Sequence, residues 1–480
     1  MGSAADRVTE TTKAPIRKAL RLSLLNTVVG KAGTFLTGIV LARLLTPQDF
    51  GLYAVAFVAL IALLSLNELG VSLAIVRWPG DPERIRPTVT TISLVTSAVI
   101  YAACYVGAPL FTAAMDAPGA TGIVRVLCLS VLVDGLTGPV AQLVNRDFKQ
   151  GLRLLVDSTN LVVTTGLTVS LAVTGHGAWS LAVGQVTGNA VSSLVLFGLS
   201  RKWPRLGFDP SQARQLLAFG LPLAGASLLM IAMLNVDKVV TGRMLGAVAL
   251  GLYVQAFNLA SWPVNVFSLI VRRVSLAAFA RVQEDPAERQ TVFAKMAMVL
   301  AVPTLPVCAV LGLLAWPIVS TLYGHQWVGS SVALQYLALL GVVRVASELA
   351  YDFLVALGRS RVTMWLQAAW MVALLVFLPL GAYFLGIEGV AIAHAGVAVV
   401  LMLPAYAIAV MRTGISLRSL VAPLARPLLG TACMTAVILV VRWFTEPSFL
   451  QLLLGGTLGM LAYLPAVWPL RKVLRGGLRG

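Results

Sequence analysis

Lys31, Arg125 and Arg344 are basic residues set within long apolar runs, and Glu68, Asp134, Glu348 and Asp352 are acidic residues set the same way. An ionisable group at bilayer depth costs some kcal/mol and tends to face a cavity or a partner. Lys31 is flanked by Gly30, Gly33, Thr34 and Gly38, small residues that permit close helix approach or a groove. Its apolar run opens near residue 22, so at 1.5 Å per residue it lies about 14 Å along a helix, close to the midplane. An ammonium there suits contact with an anion. The competing reading is a Lys neutralised by Asp134 or Glu348 in a packed interior.

Arg344, Glu348 and Asp352 follow one another at i, i+4 and i+8, which puts them on one helix face. Arg344 and Glu348 can pair within the helix, leaving Asp352 for another partner. Asp134 lies twelve residues before Arg146 and Glu348 eleven before Arg359, near-equivalent positions in the two halves that suggest acids facing each other across a cavity. Both suit binding of a coupling H⁺ or Na⁺, and both suit charge balance against Lys31, Arg125 and Arg344. Asp157 follows Arg153 by one turn and reads as an intrahelical pair, while Glu68 has no local partner. Asp237 and Lys238 lie near the end of a span and read as structural, with Lys238 able to snorkel to the headgroups.

The residues that serve enzymes best are poorly placed. His176 and His325 fall in short loops, and His394 stands alone in an apolar run. None has the spacing of a metal ligand or of a partner to a nucleophile. Cys104, Cys128, Cys308 and Cys433 lie in apolar runs without paired spacing and read as core packing. There is no Gly-x-x-x-x-Gly-Lys stretch to cradle a nucleotide. No cofactor, metal site or catalytic residue is expected.

Helices must position these groups. The chain is 58% hydrophobic and 11% charged over 480 residues, too little polar surface for a soluble protein. Apolar runs recur near 22–45, 51–76, 87–110, 122–145, 152–174, 177–200, 215–242, 248–271, 292–316, 331–357, 361–385, 388–411, 426–444 and 448–470. Each is long enough to cross a bilayer as a helix, and helix satisfies the backbone where water is absent. The expected class is an all-α polytopic membrane protein with about 14 transmembrane helices. Of the 36 basic residues, all but Lys31, Arg43, Arg125, Lys238, Arg243, Arg344 and Arg442 fall in the tails or in alternate loops. Short Lys/Arg-rich loops stay in the cytoplasm, so both termini are expected there, in a multi-pass protein of the cytoplasmic membrane. The net charge of +17 is thus a topology signal that favours anionic membrane lipids, and no nucleic-acid partner is expected. No cleaved signal peptide is expected either.

An internal repeat organises the spans. Arg43, Leu45, Gly51, Leu52, Tyr53, Ala56 and Phe57 recur in register as Arg243, Leu245, Gly251, Leu252, Tyr253, Ala256 and Phe257. Each copy joins two spans, and an even number of spans separates them, so the halves share one orientation: a parallel repeat. The expected organisation is a basic tail over 1–20, an N-lobe of six helices over 21–214, a C-lobe of six over 215–412, and two further helices with a basic tail over 413–480.

The segment Leu41-Ala-Arg-Leu-Leu-Thr-Pro-Gln-Asp-Phe-Gly-Leu-Tyr53 resembles the helix 1–2 junction of the polysaccharide transporter (Wzx-type) family, within the multidrug/oligosaccharidyl-lipid/polysaccharide exporter superfamily. Glu68-Leu-Gly-Val-Ser-Leu-Ala-Ile-Val-Arg77 and Val236-Asp-Lys-Val-Val-Thr-Gly-Arg-Met-Leu-Gly246 agree with it, and Thr46 departs from the family's usual Gly before Pro47. The resemblance implies a flippase that moves an undecaprenyl-pyrophosphate-linked oligosaccharide to the outer leaflet by alternating access, for cell-surface polysaccharide biosynthesis. Lys31, Arg125 and Arg344 would then be cavity cations for the substrate, with a polysaccharide polymerase and assembly proteins as partners. The alternatives are a drug or small-molecule exporter of the same superfamily and a membrane-embedded envelope-assembly subunit. An enzyme would need an outward domain for its chemistry, and the loops are too short to form one.

Overall fold

The computed structural model describes residues 30–67, 71–78, 80–147, 149–281 and 285–471. Among the described residues the chain is helical throughout, with no strand. Helix α1 covers 30–44 and α2 is Pro47–Asn67, resumed over Val71–Arg77. Then come α3 (Pro82–Ala114), α4 (Pro118–Arg146), α5 (Gln150–Val173) and α6 (Ala178–Ser200). The helical stretch Pro210–Arg281 breaks at Gly246 (φ 79°, ψ 179°), giving α7 over 210–245 and α8 over 247–281. Helices α9 (Pro286–Leu313) and α10 (Gly329–Ala356) follow. The stretch Ser360–Met411 breaks at Gly386 (φ 59°) into α11 over 360–385 and α12 over 387–411. Helices α13 (Arg418–Phe444) and α14 (Phe449–Val467) complete the set. Among the described residues these fourteen helices match the expected count, and a short helix, Ala315–Leu322, follows α9. The boundaries differ in places: α13 starts at Arg418 rather than near 426, and α7 runs to Leu245 rather than ending near 242. Flanking charges are carried into helix because the first turn needs no lipid contact.

The chain divides into two compact units. The first runs to Asn235 and takes in Gly246–Gly251; the second comprises Val236–Leu245 and all from Leu252 on. In the first unit, small residues let backbones approach. Gly184 and Gly188 of α6 lie against Thr168 and Thr164 of α5, and Gly135 of α4 lies against Ser97 of α3. Helix α1 leans on α5 through Gly33 beneath Leu161 and a 3.0 Å contact between the hydroxyls of Thr37 and Thr165. Ala56, Leu60, Ile123, Leu127, Cys128 and Val131 form the apolar core.

The repeated turn is packed reciprocally. A Cβ at Gly51 would strike the carbonyl of Ala247, and one at Gly251 would strike the carbonyl of Pro47. Each copy thus presents its glycine to the first turn of the other, and only glycine fits at either place. The first copy also carries a capping box. The Thr46 backbone N–H and hydroxyl donate to Asp49 Oδ2 at 3.0 and 2.7 Å, and the Asp49 N–H donates back to Thr46 Oγ1 at 3.2 Å. Asp49 Oδ1 accepts from the Ala178 N–H at 3.0 Å, tying the starts of α2 and α6.

In the second unit, Phe279, Phe293 and Phe353 pack ring on ring, with centroids 5.0 and 4.9 Å apart about Phe353. Helices α13 and α14 pack with Gly430 under Tyr463, whose hydroxyl donates to the Val302 carbonyl of α9 at 2.6 Å. Helices α11 and α12 form a hairpin in which Gly381 and Gly389 each abut the other's carbonyl. Cys308 is buried as expected, but Cys433 is exposed on α13 and plays no part in a core.

Exposed aromatic residues lie towards both ends of α11. On α11, Trp365 (70% exposed) and Phe384 (73%) lie near opposite ends. They are about 28 Å apart at 1.5 Å per residue, the thickness of a hydrocarbon core, and aromatic rings prefer its two interfaces. At the end rich in basic loops, Lys202 bridges Glu83 (3.2 Å) and Asp147 (3.3 Å), and Arg86 pairs with Glu83 at 2.7 Å. Arg146 donates to the carbonyls of Ile75 and Trp78 at 2.8 and 3.1 Å. At the start of α7, the Ser211 hydroxyl and amide and the Gln212 amide hold the Asp209 carboxyl below its ordinary range.

Candidate functional site

The second unit brings together polar side chains from four helices. On α8, Tyr253 and Phe257 are one turn apart and their rings stack at 6.2 Å. Tyr253 is fully buried, and its hydroxyl donates to Asp237 Oδ2 of α7 at 3.0 Å. His394 Nδ1 of α12 lies 3.2 Å from the same hydroxyl and 3.9 Å from Asp237 Oδ2. Asp237 is 2% exposed, and its Oδ1 is buried with no hydrogen bond. Lys238 Nζ stands 3.8 Å from that oxygen.

Phe257 is the centre of this cluster. His394 stacks on it at 6.3 Å, Lys238 lies 4.7 Å over its ring, and the Arg344 guanidinium is 6.0 Å away. A cation over an aromatic face is attracted by the ring quadrupole, more so where water is scarce. Arg344 also pairs with Glu348 at 3.8 Å, as the i, i+4 spacing implies, and donates to Ser261 Oγ at 3.4 Å. A small cleft opens here between Arg344, Phe257, Ser261, Val264 and Gly341. Asp352 is buried two turns from Arg344 on the same helix.

The first unit handles its half-buried acid differently. Asp134 accepts from Asn67 Nδ2 at 3.0 Å, and Asn67 Oδ1 accepts from Ser97 Oγ at 2.6 Å. No ion pair reaches Asp134 among the described residues, so Lys31 is not its neutralising partner. Lys31 is half-buried on α1. Among the described residues it has no hydrogen bond or ion pair; neighbouring Gly30, and Gly38 two turns on, face open space. Arg125 is held at the rim of α3, where its Nε donates to the Tyr105 carbonyl at 3.1 Å and its guanidinium covers the Tyr105 ring at 4.3 Å. Arg153 and Asp157 pair at 3.7 Å. Glu68 lies outside the described residues.

Of the sequence-derived candidates, then, Arg344 and Glu348 meet in one place in the second unit, while Lys31, Arg125 and Asp134 belong to the first. The contribution of Asp237, Lys238, Tyr253 and His394 was missed. Lys238 lies about 10 Å before the end of the longer α7, at 1.5 Å per residue, and covers Phe257 instead of snorkelling. The available signal was Tyr253 and Phe257 in the repeat, next to the only pair of adjacent opposite charges in α7. His394, 141 positions from Tyr253, gave none.

The structure also sets the register between halves. Gly119 lies against Leu52 and Gly329 against Leu252. Gly177 (φ 52°, ψ −135°) and Gly386 (φ 59°, ψ −136°) share one left-handed turn before α6 and α12. By this register Asp134 corresponds to Arg344 rather than to Glu348, and His394 corresponds to Gln185.

Comparison with known proteins agrees with the geometry. Residues 40–332 match the family model described as polysaccharide biosynthesis protein. The chain is similar to the lipopolysaccharide biosynthesis protein WzxC of Escherichia coli (strain K12), 25% identical over 311 residues, 64% of this chain and 62% of that protein. It is similar to the succinoglycan biosynthesis transport protein ExoT of Rhizobium meliloti (strain 1021), 28% identical over 321 residues, 65% of this chain and 64% of that protein. The matched stretch covers less than two thirds of either relative's length. In structure it is similar to the lipid II flippase MurJ in an inward closed conformation, with TM-score 0.75 and 14% identity over 95% of this chain and 100% of that one. A multidrug resistance MATE family transporter of the MOP superfamily, inward-facing, gives TM-score 0.61 at 18% identity over 81% of this chain and 98% of that one. At these identities the likeness is one of fold.

Proposed function

We propose a transport function for this chain, which belongs to the polysaccharide biosynthesis protein family. It is a flippase, not an enzyme: it moves a polyprenyl-pyrophosphate-linked oligosaccharide from the inner to the outer leaflet by alternating access of two six-helix lobes, 21–214 and 215–412. Its closest physical support is Lys31, an ammonium in an apolar helix with no hydrogen bond or ion pair among the described residues. A half-buried charge at membrane depth without a protein partner is costly, and an anion that visits the site offsets that cost. Arg344 supplies a second cation, at the cleft beside Phe257. Arg125, engaged by Tyr105, is the weakest of the three.

The pyrophosphate charges gain energy on the way out. Two charges moving past an inside-negative potential of about 100 mV gain roughly 4–5 kcal/mol. A fixed cation near the midplane lowers the barrier for them and holds them against early release. Lys31→Ala should abolish flipping of a fluorescent polyprenyl-diphosphate oligosaccharide in proteoliposomes while the protein still elutes as a folded species. Lys31→Arg should keep part of the activity. Normal transport by Lys31→Ala would move the anion contact to Arg344.

The orientation follows from charge. Both termini and the basic loops near 80, 149, 205, 285, 360 and 418 face the cytoplasm, in the cytoplasmic membrane, where polymerase and assembly proteins would receive the product outside. Single cysteines at these loops should resist an impermeant reagent applied to intact cells. Labelling at 205 or 285 would reverse the topology.

A further inference from the structure

We infer that Asp237, Tyr253 and His394 form a proton-binding site, so that the ion coupled to transport is H⁺ and not Na⁺. The use of the proton rests on the transport reading above; its binding does not. The hydrogen-bond chain fixes where protons sit. Tyr253 has one hydroxyl proton and donates it to Asp237 Oδ2 at 3.0 Å. Its oxygen is then left to accept, so the 3.2 Å contact with His394 Nδ1 is closed by a proton on that nitrogen. This assigns His394 as the neutral Nδ1–H tautomer, with Nε2 as the open acceptor.

A single proton can pass along this chain with every atom accounted for. A proton arrives at His394 Nε2; the Nδ1 proton moves to Tyr253 Oη; the Tyr253 hydroxyl proton moves to Asp237 Oδ2. The products are a neutral Asp237 carboxylic acid, an intact Tyr253 hydroxyl and His394 in its other neutral tautomer. Protonation also turns Asp237 Oδ1, which is buried without a hydrogen bond, from a carboxylate oxygen into the carbonyl oxygen of a neutral acid, which costs less to bury.

The same geometry disfavours sodium. A hard cation needs several oxygens with lone pairs turned towards it. Here Oδ2 accepts from Tyr253, and the Asp237 carbonyl accepts from Thr241 Oγ1 at 2.7 Å. The Lys238 ammonium is 3.8 Å from the remaining oxygen and would repel a second cation. A proton needs one lone pair and no coordination shell.

Among the described residues, the charged and titratable groups of this cluster are Lys238 on the helix of Asp237, Tyr253 on α8, Arg344 and Glu348 on α10, and His394 on α12. Glu388, nearer the start of α12, is engaged by the Tyr336 hydroxyl at 3.1 Å. Loading the proton removes the negative charge 3.8 Å from Lys238 and makes the surroundings of Phe257 and Arg344 more positive by one unit. By reciprocity, an anion at that cleft strengthens proton binding.

The test uses the full chain in nanodiscs of neutral lipid, with no glycolipid present, followed by infrared difference spectroscopy between about pH 8 and about pH 5. A protonated-carboxyl band should appear on acidification, be equal in sodium and potassium salts, and lose intensity in Asp237→Asn. Tyr253→Phe, which breaks the relay, and His394→Gln should each move the band's midpoint by about one pH unit, a tenfold change in proton affinity. These two variants carry the test if Asp237→Asn does not fold. An unaltered band in Asp237→Asn, suppression of the band by sodium at fixed pH, or an unmoved midpoint in both relay variants overturns the proposal. A band that behaves as expected in a protein that flips no glycolipid leaves proton binding intact and removes the flippase reading alone.

Discussion

The two halves carry one aromatic pair in two chemical settings. In the first unit Tyr53 stacks on Phe57 at 5.7 Å, and the residues in register with Asp237 and Lys238 are Thr37 and Gly38. In the second, Tyr253 stacks on Phe257 at 6.2 Å and is joined to Asp237 and His394. The corresponding position on the fourth helix of each half is Asp134, among amides and hydroxyls, and Arg344, in an ion pair. The difference teaches that the repeat preserves what packs and lets go of what is charged. Glycines, ring pairs and left-handed turns recur because backbone approach and ring stacking permit few substitutes. The charges diverge because each half can neutralise a different set.

The shared part should be the most fragile. Gly51→Val and Gly251→Val each push a side chain into a backbone carbonyl that cannot swing away. Each should cost about 3 kcal/mol, read as a large drop in the thermal midpoint of the purified protein. A silent Gly251→Val beside a damaging Gly51→Val would break the reciprocity of the two turns.

The divergent part should respond unequally. Arg344→Ala leaves Glu348 partly buried without its guanidinium and takes a cation from Phe257, a loss of about 2 kcal/mol for a pair that retains some solvent. Asp134→Asn keeps an acceptor for the Asn67 amide and should cost below about 0.5 kcal/mol. Denaturation of the two variants side by side checks this, and equal losses would mean that Asp134 is held by more than Asn67. The smallest contrast lies at the cap. Asp49→Ala removes the box with Thr46 and the bond to the Ala178 amide, for about 1.5 kcal/mol. Ala249, its counterpart in the second copy, has no such bond to lose, so Ala249→Ser should leave the midpoint in place.

These contrasts show which features a one-dimensional reading reaches. Span number and the parallel repeat were legible, because hydrocarbon admits only apolar helices and because Gly51 and Gly251 sit in matched strings of residues. The Arg344–Glu348 pair was legible from a spacing that any helix enforces. His394 was not: its value depends on α12 returning beside α8, which no local pattern encodes. The depth of Lys238 was misjudged for a related reason. Apolarity does not say whether a helix stops at the last oily residue or runs on to a glycine that can turn left-handed, as α7 does to Gly246.

The hairpin of α11 and α12 bears on how the protein is made. Between Arg361 and Arg412 the chain carries one formal charge, Glu388, two residues beyond the turn at Gly386. No hydrophilic loop has to be dragged across the bilayer when this segment leaves the ribosome. The two helices can close on each other through Gly381 and Gly389; under the topology proposed above they would partition into lipid as one insertion unit, with Arg359 and Arg361 at one end and Arg412 at the other held on the side of synthesis. Under that topology the left-handed glycine would serve biogenesis as well as packing, by letting the nascent chain double back with only Glu388 near the turn.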